Sequence, residues 1–88
     1  MIIEVLGIGD GRSDQLEAVV RDALGRSGQA QVTVLRFDDP ARMVARGVRR
    51  VPGLVFDGKV VCRGRVPAAE EIKGWLAAAE EKDGGPTG

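Results

Sequence analysis

Hydrophobic positions recur along this chain in short bursts whose spacing alternates between strand-like and helix-like. Ile2-Ile3-Glu4-Val5-Leu6 is almost continuously apolar, the pattern of a strand covered on both faces. A glycine-rich loop follows, Gly7-Ile8-Gly9-Asp10-Gly11-Arg12-Ser13. Leu16, Val19, Val20, Ala23 and Leu24 then return at helical spacing and form one apolar stripe. Gly25 and Gly28 flank the end of that helix, where glycine accepts the left-handed backbone of a carboxyl cap. Ala30–Phe37 alternates, with Val32, Val34 and Arg36 on one side and Thr33, Leu35 and Phe37 on the other, which predicts a second strand. Asp38 or Asp39 is placed to cap a short helix over about Ala41–Arg46, with Pro40 in its first turn and Gly47 at its end. Gly53–Phe56 and Lys59–Arg63 flank Asp57-Gly58, the strongest short-range signal for a hairpin. A last helix begins near Pro67, with Ala68 to Glu71 as its first turn and Ala68, Ile72, Trp75, Leu76 and Ala79 as its buried stripe.

The resulting order is βαβαββα. Two strands joined by a helix imply a parallel crossover, and the hairpin adds antiparallel pairs. The simplest compact solution is an α/β fold, a four-stranded mixed sheet flanked by three helices. The chain has 88 residues, which is one small domain, expected over residues 1–81 with a loose tail over 82–88.

Composition narrows the function classes. Thirteen basic and thirteen acidic residues cancel, which removes the global electrostatic argument for nucleic acid or an anionic membrane. The aromatic residues are Phe37, Phe56 and Trp75, too few for a base-stacking platform. There is no histidine, hence no imidazole base and no ordinary zinc site, and no metal or other cofactor is expected. No apolar run approaches the ~20 residues of a membrane span. The amino terminus lacks the basic and long apolar regions of a signal peptide, so a cytoplasmic location is expected. Cys62 is the one cysteine, and one thiol forms no internal disulfide.

Four features together resemble the small thioredoxin-like proteins related to glutaredoxin, often labelled redox-active disulfide proteins. They are the glycine loop before the first helix, Val51-Pro52 after the second, the Asp57-Gly58 hairpin, and Gly64-Arg65-Val66-Pro67 before the last helix. The resemblance covers roughly residues 1–80. It implies a thioredoxin-like fold, a cis Val51-Pro52 bond, and a site formed by the first helix start facing that bond. In such proteins the first loop reads Gly-x-Gly-Cys-x-x-Cys. Here the corresponding positions are Asp10, Gly11, Arg12 and Ser13, so both cysteines are replaced.

Dithiol chemistry needs a thiolate stabilised at a helix start and a second thiol that resolves the mixed disulfide. A carboxylate is a poor sulfur nucleophile, and a serine hydroxyl stays protonated without a base. The expected function is therefore a binding or adaptor module without dithiol activity. It would use the cleft between residues 9–13 and the Arg50-Val51-Pro52 segment, with Gly9 on one wall, to hold a peptide, a thiol compound or a protein partner. The alternative is a residual oxidoreductase acting through Cys62 or through glutathione held in the cleft.

Each feature has a structural reading beside the functional one. Asp10 and Ser13 are good amino-cap residues, and the same helix start could hold an anion beside Arg12. Gly7-Ile8-Gly9-Asp10-Gly11 fails as a dinucleotide fingerprint because its last position is Arg12, and it lacks the Gly-Lys-Ser/Thr of a P-loop. Cys62 reads either as a small buried hydrophobe or, next to Arg63, as a reactive thiol on the face opposite Val61. Arg12, Arg42, Arg46, Arg49, Arg50, Arg63 and Arg65 form either a solvated surface with ordinary salt partners or a steering patch for an acidic peptide or phosphorylated ligand. Lys59 and Arg63 discourage edge pairing with a second copy, so a monomer or weak dimer is expected.

Overall fold

The computed structural model describes residues 1–28 and 31–83. Among these residues the elements are β1 (Ile2–Leu6), α1 (Gly11–Ser27), β2 (Thr33–Phe37), α2 (Pro40–Arg46), β3 (Gly53–Phe56), β4 (Lys59–Arg63) and α3 (Ala69–Asp83). The expected order and the four-stranded mixed sheet are present. The strand order is β2-β1-β3-β4. β1 pairs in parallel with β2 and antiparallel with β3, and β4 returns antiparallel along β3. All three sites of interest, the end of β1, the start of β3 and the end of β4, therefore lie at one end of the sheet.

The boundaries follow from local chemistry. Gly28 closes α1 in the left-handed region at φ 72° and donates to the Leu24 carbonyl, whereas Gly25 lies inside the helix. β2 starts at Thr33, and the earlier start at Ala30 falls on a residue outside the described ones. Asp39, not Asp38, caps α2, accepting from the Ala41 N–H, and Pro40 occupies the first helical position. The hairpin turns on Asp57 and Gly58, both at positive φ as a type I′ turn requires. α3 begins at Ala69, where the Glu71 carboxylate reaches back to the Ala68 N–H, the glutamate half of a capping box. It runs on to Asp83, past residue 82 where the tail was expected to begin, and 84–88 lie outside the described residues.

Two apolar clusters straddle the sheet. On one face Ile3, Val5, Leu54, Phe56 and Cys62 meet Leu16, Val20 and Ala23 of α1 and Ile72 and Leu76 of α3. On the other, Leu6, Val48 and Val55 form a smaller cluster with Phe37, Met43 and Val60. α2 buries none of its residues. An ion pair supplements its thin apolar contact. Glu4, 3% exposed on β1, accepts from Arg46 Nε at 3.2 Å and from Arg46 Nη2 at 2.8 Å. Arg42 adds its Nε at 3.5 Å from Glu4 and stacks its guanidinium 4.2 Å from the Phe37 ring centre.

One expectation fails in β4. Leu54 faces Cys62 but Val55 faces Val60, so Val61 is an extra residue in the ladder. The bulge breaks the alternation of side chains. Val61 and Cys62 consequently pack against the same cluster, beneath α1 and α3, rather than on opposite faces.

Candidate functional site

Three segments converge at one end of the sheet: the loop from β1 to α1, the turn before β3, and the turn after β4. The first is set by Asp10. Its Oδ1 accepts from the Ser13 N–H at 3.0 Å and from the Ser13 hydroxyl at 2.9 Å. These bonds, chiefly the backbone one, hold the Asp10 carboxyl below its ordinary range. Ser13 is fully buried, and its hydroxyl lies so close to Gly7 that a side chain there would collide with it. Gly7 in turn donates to the Phe37 carbonyl at 3.0 Å, which ties the loop to the end of β2. The sequence-predicted cap is thus what Asp10 and Ser13 form, and it takes one of the helix-start donors that an anion would need.

Ile8 stands 59% exposed on this loop. Asp38 approaches the same loop near Gly7 and Gly9 and is held by Arg36 at 3.2 Å. Arg36 also takes Asp14 at 2.8 Å and Glu17 at 3.0 Å, so one half-buried guanidinium fixes β2, the start of α1 and the acidic side of the loop together. Its bonds to Asp14 and Glu17 raise its pKa further, and the same contacts lower that of Glu17.

The second segment carries Val51 and Pro52, whose peptide bond is cis. Pro52 is buried and Val51 half-buried. The Pro52 carbonyl accepts from the Gly64 N–H at 2.9 Å, which joins the second segment to the third. Gly64 sits at φ 82°, and a side chain there would come within 3.3 Å of the Arg50 stem. Arg12 closes the ring, donating from Nη2 to the Gly64 carbonyl at 3.0 Å. Gly64 is therefore the residue on which all three segments meet. The sequence marked it as part of a motif and not as part of the site, because a carbonyl's role has no side-chain signature.

Cys62 is 9% exposed, and its thiol points to the Arg65 carbonyl at 4.0 Å. It belongs to the main apolar cluster. The arginines grouped by the sequence divide in space. Arg42 and Arg46 turn to Glu4, and Arg65 pairs with Glu71 at 2.8 Å. Arg49, Arg50 and Arg63 line an open concavity of about 520 Å³ with Gly47, beside the cis bond. A more apolar concavity of about 320 Å³ lies at the opposite end of the sheet, next to Met1, Asp57 and Trp75. Among the described residues no three His, Cys, Asp or Glu side chains cluster as metal ligands would. No helix among them is long and apolar enough to cross a membrane.

A family model described as a thioredoxin domain matches residues 1–77, and the chain belongs to that family. No curated protein matches the chain.

Proposed function

From its place in the thioredoxin domain family, we propose that this protein is a binding or adaptor module without dithiol redox activity. Its cleft lies between residues 9–13 and the Arg50-Val51-Pro52 segment. The observation that carries this reading is the state of Asp10 and Ser13. One is an ionised cap and the other is fully buried and hydrogen-bonded to it. Neither is a sulfur, and neither presents a good nucleophile for a disulfide. The burial of Cys62 counts against an oxidoreductase working through that thiol, because reactive cysteines need access and a stabilised thiolate. The exposed Ile8 on one wall and the half-buried Val51 on the other supply apolar contact for a peptide or a thiol compound. No cofactor is required for such binding.

Two measurements test the reading. The protein should leave insulin disulfides intact in the presence of dithiothreitol beyond the reagent's own rate. Turnover above that rate would overturn the non-redox assignment. In amide NMR spectra, glutathione added to the reduced protein should shift residues 9–13 and 50–53. If those amides stay still while the rest of the spectrum is intact, the cleft reading for this class of ligand is lost.

A further inference from the structure

Ten arginines are spread along the chain, and their partners divide them into two groups. Arg21, Arg26, Arg36, Arg42, Arg46 and Arg65 each face a carboxylate within 4 Å. Arg12, Arg49, Arg50 and Arg63 have no carboxylate partner among the described residues, and all four gather around the cis Val51-Pro52 segment. Arg12 is committed to the Gly64 carbonyl. The other three line a single concavity. Arginines scattered only for solubility would not be expected to leave their unpaired members at one place beside a cleft.

We propose that Arg49, Arg50 and Arg63 form a docking site for an acidic peptide segment of a protein partner. This deepens the binding-module reading above and rests on it. Three features of the concavity favour that chemistry. The first is charge without internal compensation. Gly47 at the rim closes α2 with two backbone bonds, Val44 accepting from Gly47 at 3.0 Å and Met43 from Val48 at 2.9 Å, and no carboxylate among the described residues lies within 4 Å of Arg49, Arg50 or Arg63.

The second is preorganisation. The Arg50 stem packs against Gly64, where a side chain would come within 3.3 Å of it. Arg63 is fixed at the end of β4, paired opposite Gly53. Guanidinium forks held apart on different segments suit several carboxylates along a chain better than one compact anion. The third is the absence of an aromatic lining: the walls are Gly47, Arg49, Arg50 and Arg63. Bases would find nothing to stack on, and zero net charge gives a polynucleotide no long-range attraction. An acidic peptide is the polyanion these walls fit.

The test uses the whole chain and amide NMR, with an alternating Glu-Gly decapeptide as probe and the matching Gln-Gly decapeptide as control. The acidic peptide should shift residues 47–50 and 63–64, and the effect should weaken as sodium chloride rises. The control should leave them unmoved. Arg49→Gln and Arg63→Gln each remove an exposed cation without touching the core, and each should weaken binding roughly threefold, the scale of one exposed ion pair. Together they should cost about tenfold, with the glutathione shifts at residues 9–13 retained. Equal binding of the control peptide would overturn the proposal. So would inorganic phosphate reproducing the shifts at equal concentration, which would mark a small-anion site, or tighter binding of an oligothymidylate of matched charge. If glutathione moves the cleft while the acidic peptide moves nothing, the docking site fails and the module reading stands. If neither moves anything, both fail.

Discussion

Asp10 holds the start of α1 with a single oxygen that accepts twice from Ser13, and Ser13 fits because position 7 has no side chain. Asp10 and Ser13 are therefore parts of one packed cap, joined to Gly7. Asp10→Ala should lower the melting temperature by several degrees, because the Ser13 N–H and its buried hydroxyl both lose their acceptor. Asp10→Asn keeps an acceptor and should restore most of the loss at pH 7. Thermal unfolding followed by circular dichroism separates the two, and equal losses in both variants would show that the cap is not the stabilising element. The sequence made the cap legible, since Asp and Ser at this spacing are amino-cap residues. It could not show that Ser13 is buried or that Gly7 is the other half of the fit, because that contact depends on how the loop folds over the helix.

At the scale of elements, α2 is the piece the apolar pattern explains least. Its two turns bury no side chain, and it is held through Glu4, a charge in the middle of the sheet. The sequence places Glu4 within an almost continuously apolar strand. Only the parallel and antiparallel pairing of β1 on both sides puts it under α2 and within reach of Arg46 and Arg42. Removing one partner of a buried pair strands the other, so Arg46→Ala leaves the buried Glu4 carboxylate without its two closest donors, whereas Glu4→Leu leaves two guanidinium groups that are each partly exposed. Arg46→Ala should therefore lower the urea midpoint more than Glu4→Leu does. The opposite order would mean that the carboxylate, and not its pairing, supports the helix. The bulge at Val61 makes a similar point. Alternation along Lys59–Arg63 predicts Val61 and Cys62 on opposite faces, and an extra residue in the ladder puts both on one.

Across the whole molecule, charge is balanced in sum and segregated in space. Among the described residues three carboxylates carry depressed pKa values from native contacts: Asp10 through Ser13, Glu17 through Arg36 and Arg21, and Glu71, brought down to about 2 by Arg65 and the Ala68 N–H. A folded pKa below the unfolded one means that the unfolded chain binds protons first, so these groups stabilise the fold at neutral pH and lose that effect on acidification. For Glu71 the loss should run from its ordinary 4.5 down to about 2. Urea midpoints measured from pH 7 to pH 2 should be flat at the upper end and fall below about 4.5. Glu71→Gln should flatten part of that fall, and an unchanged slope would show that the Arg65 contact does not form in solution. By itself the sequence determined the order of elements, the hairpin turn, the Asp10–Ser13 cap and the presence of a single cysteine, because each of these is read from residue identity or from neighbours within a few positions along the chain. Tertiary structure alone decided which arginines are neutralised, that Cys62 is buried, and that Gly64 joins Arg12, Arg50 and Pro52. Apart from the local pairs of Arg21, Arg26 and Arg65, those facts depend on residues far apart in the chain, such as Glu4 with Arg46 or Arg12 with Gly64, whose encounter is fixed only when β1 and β3 align at the centre of the sheet.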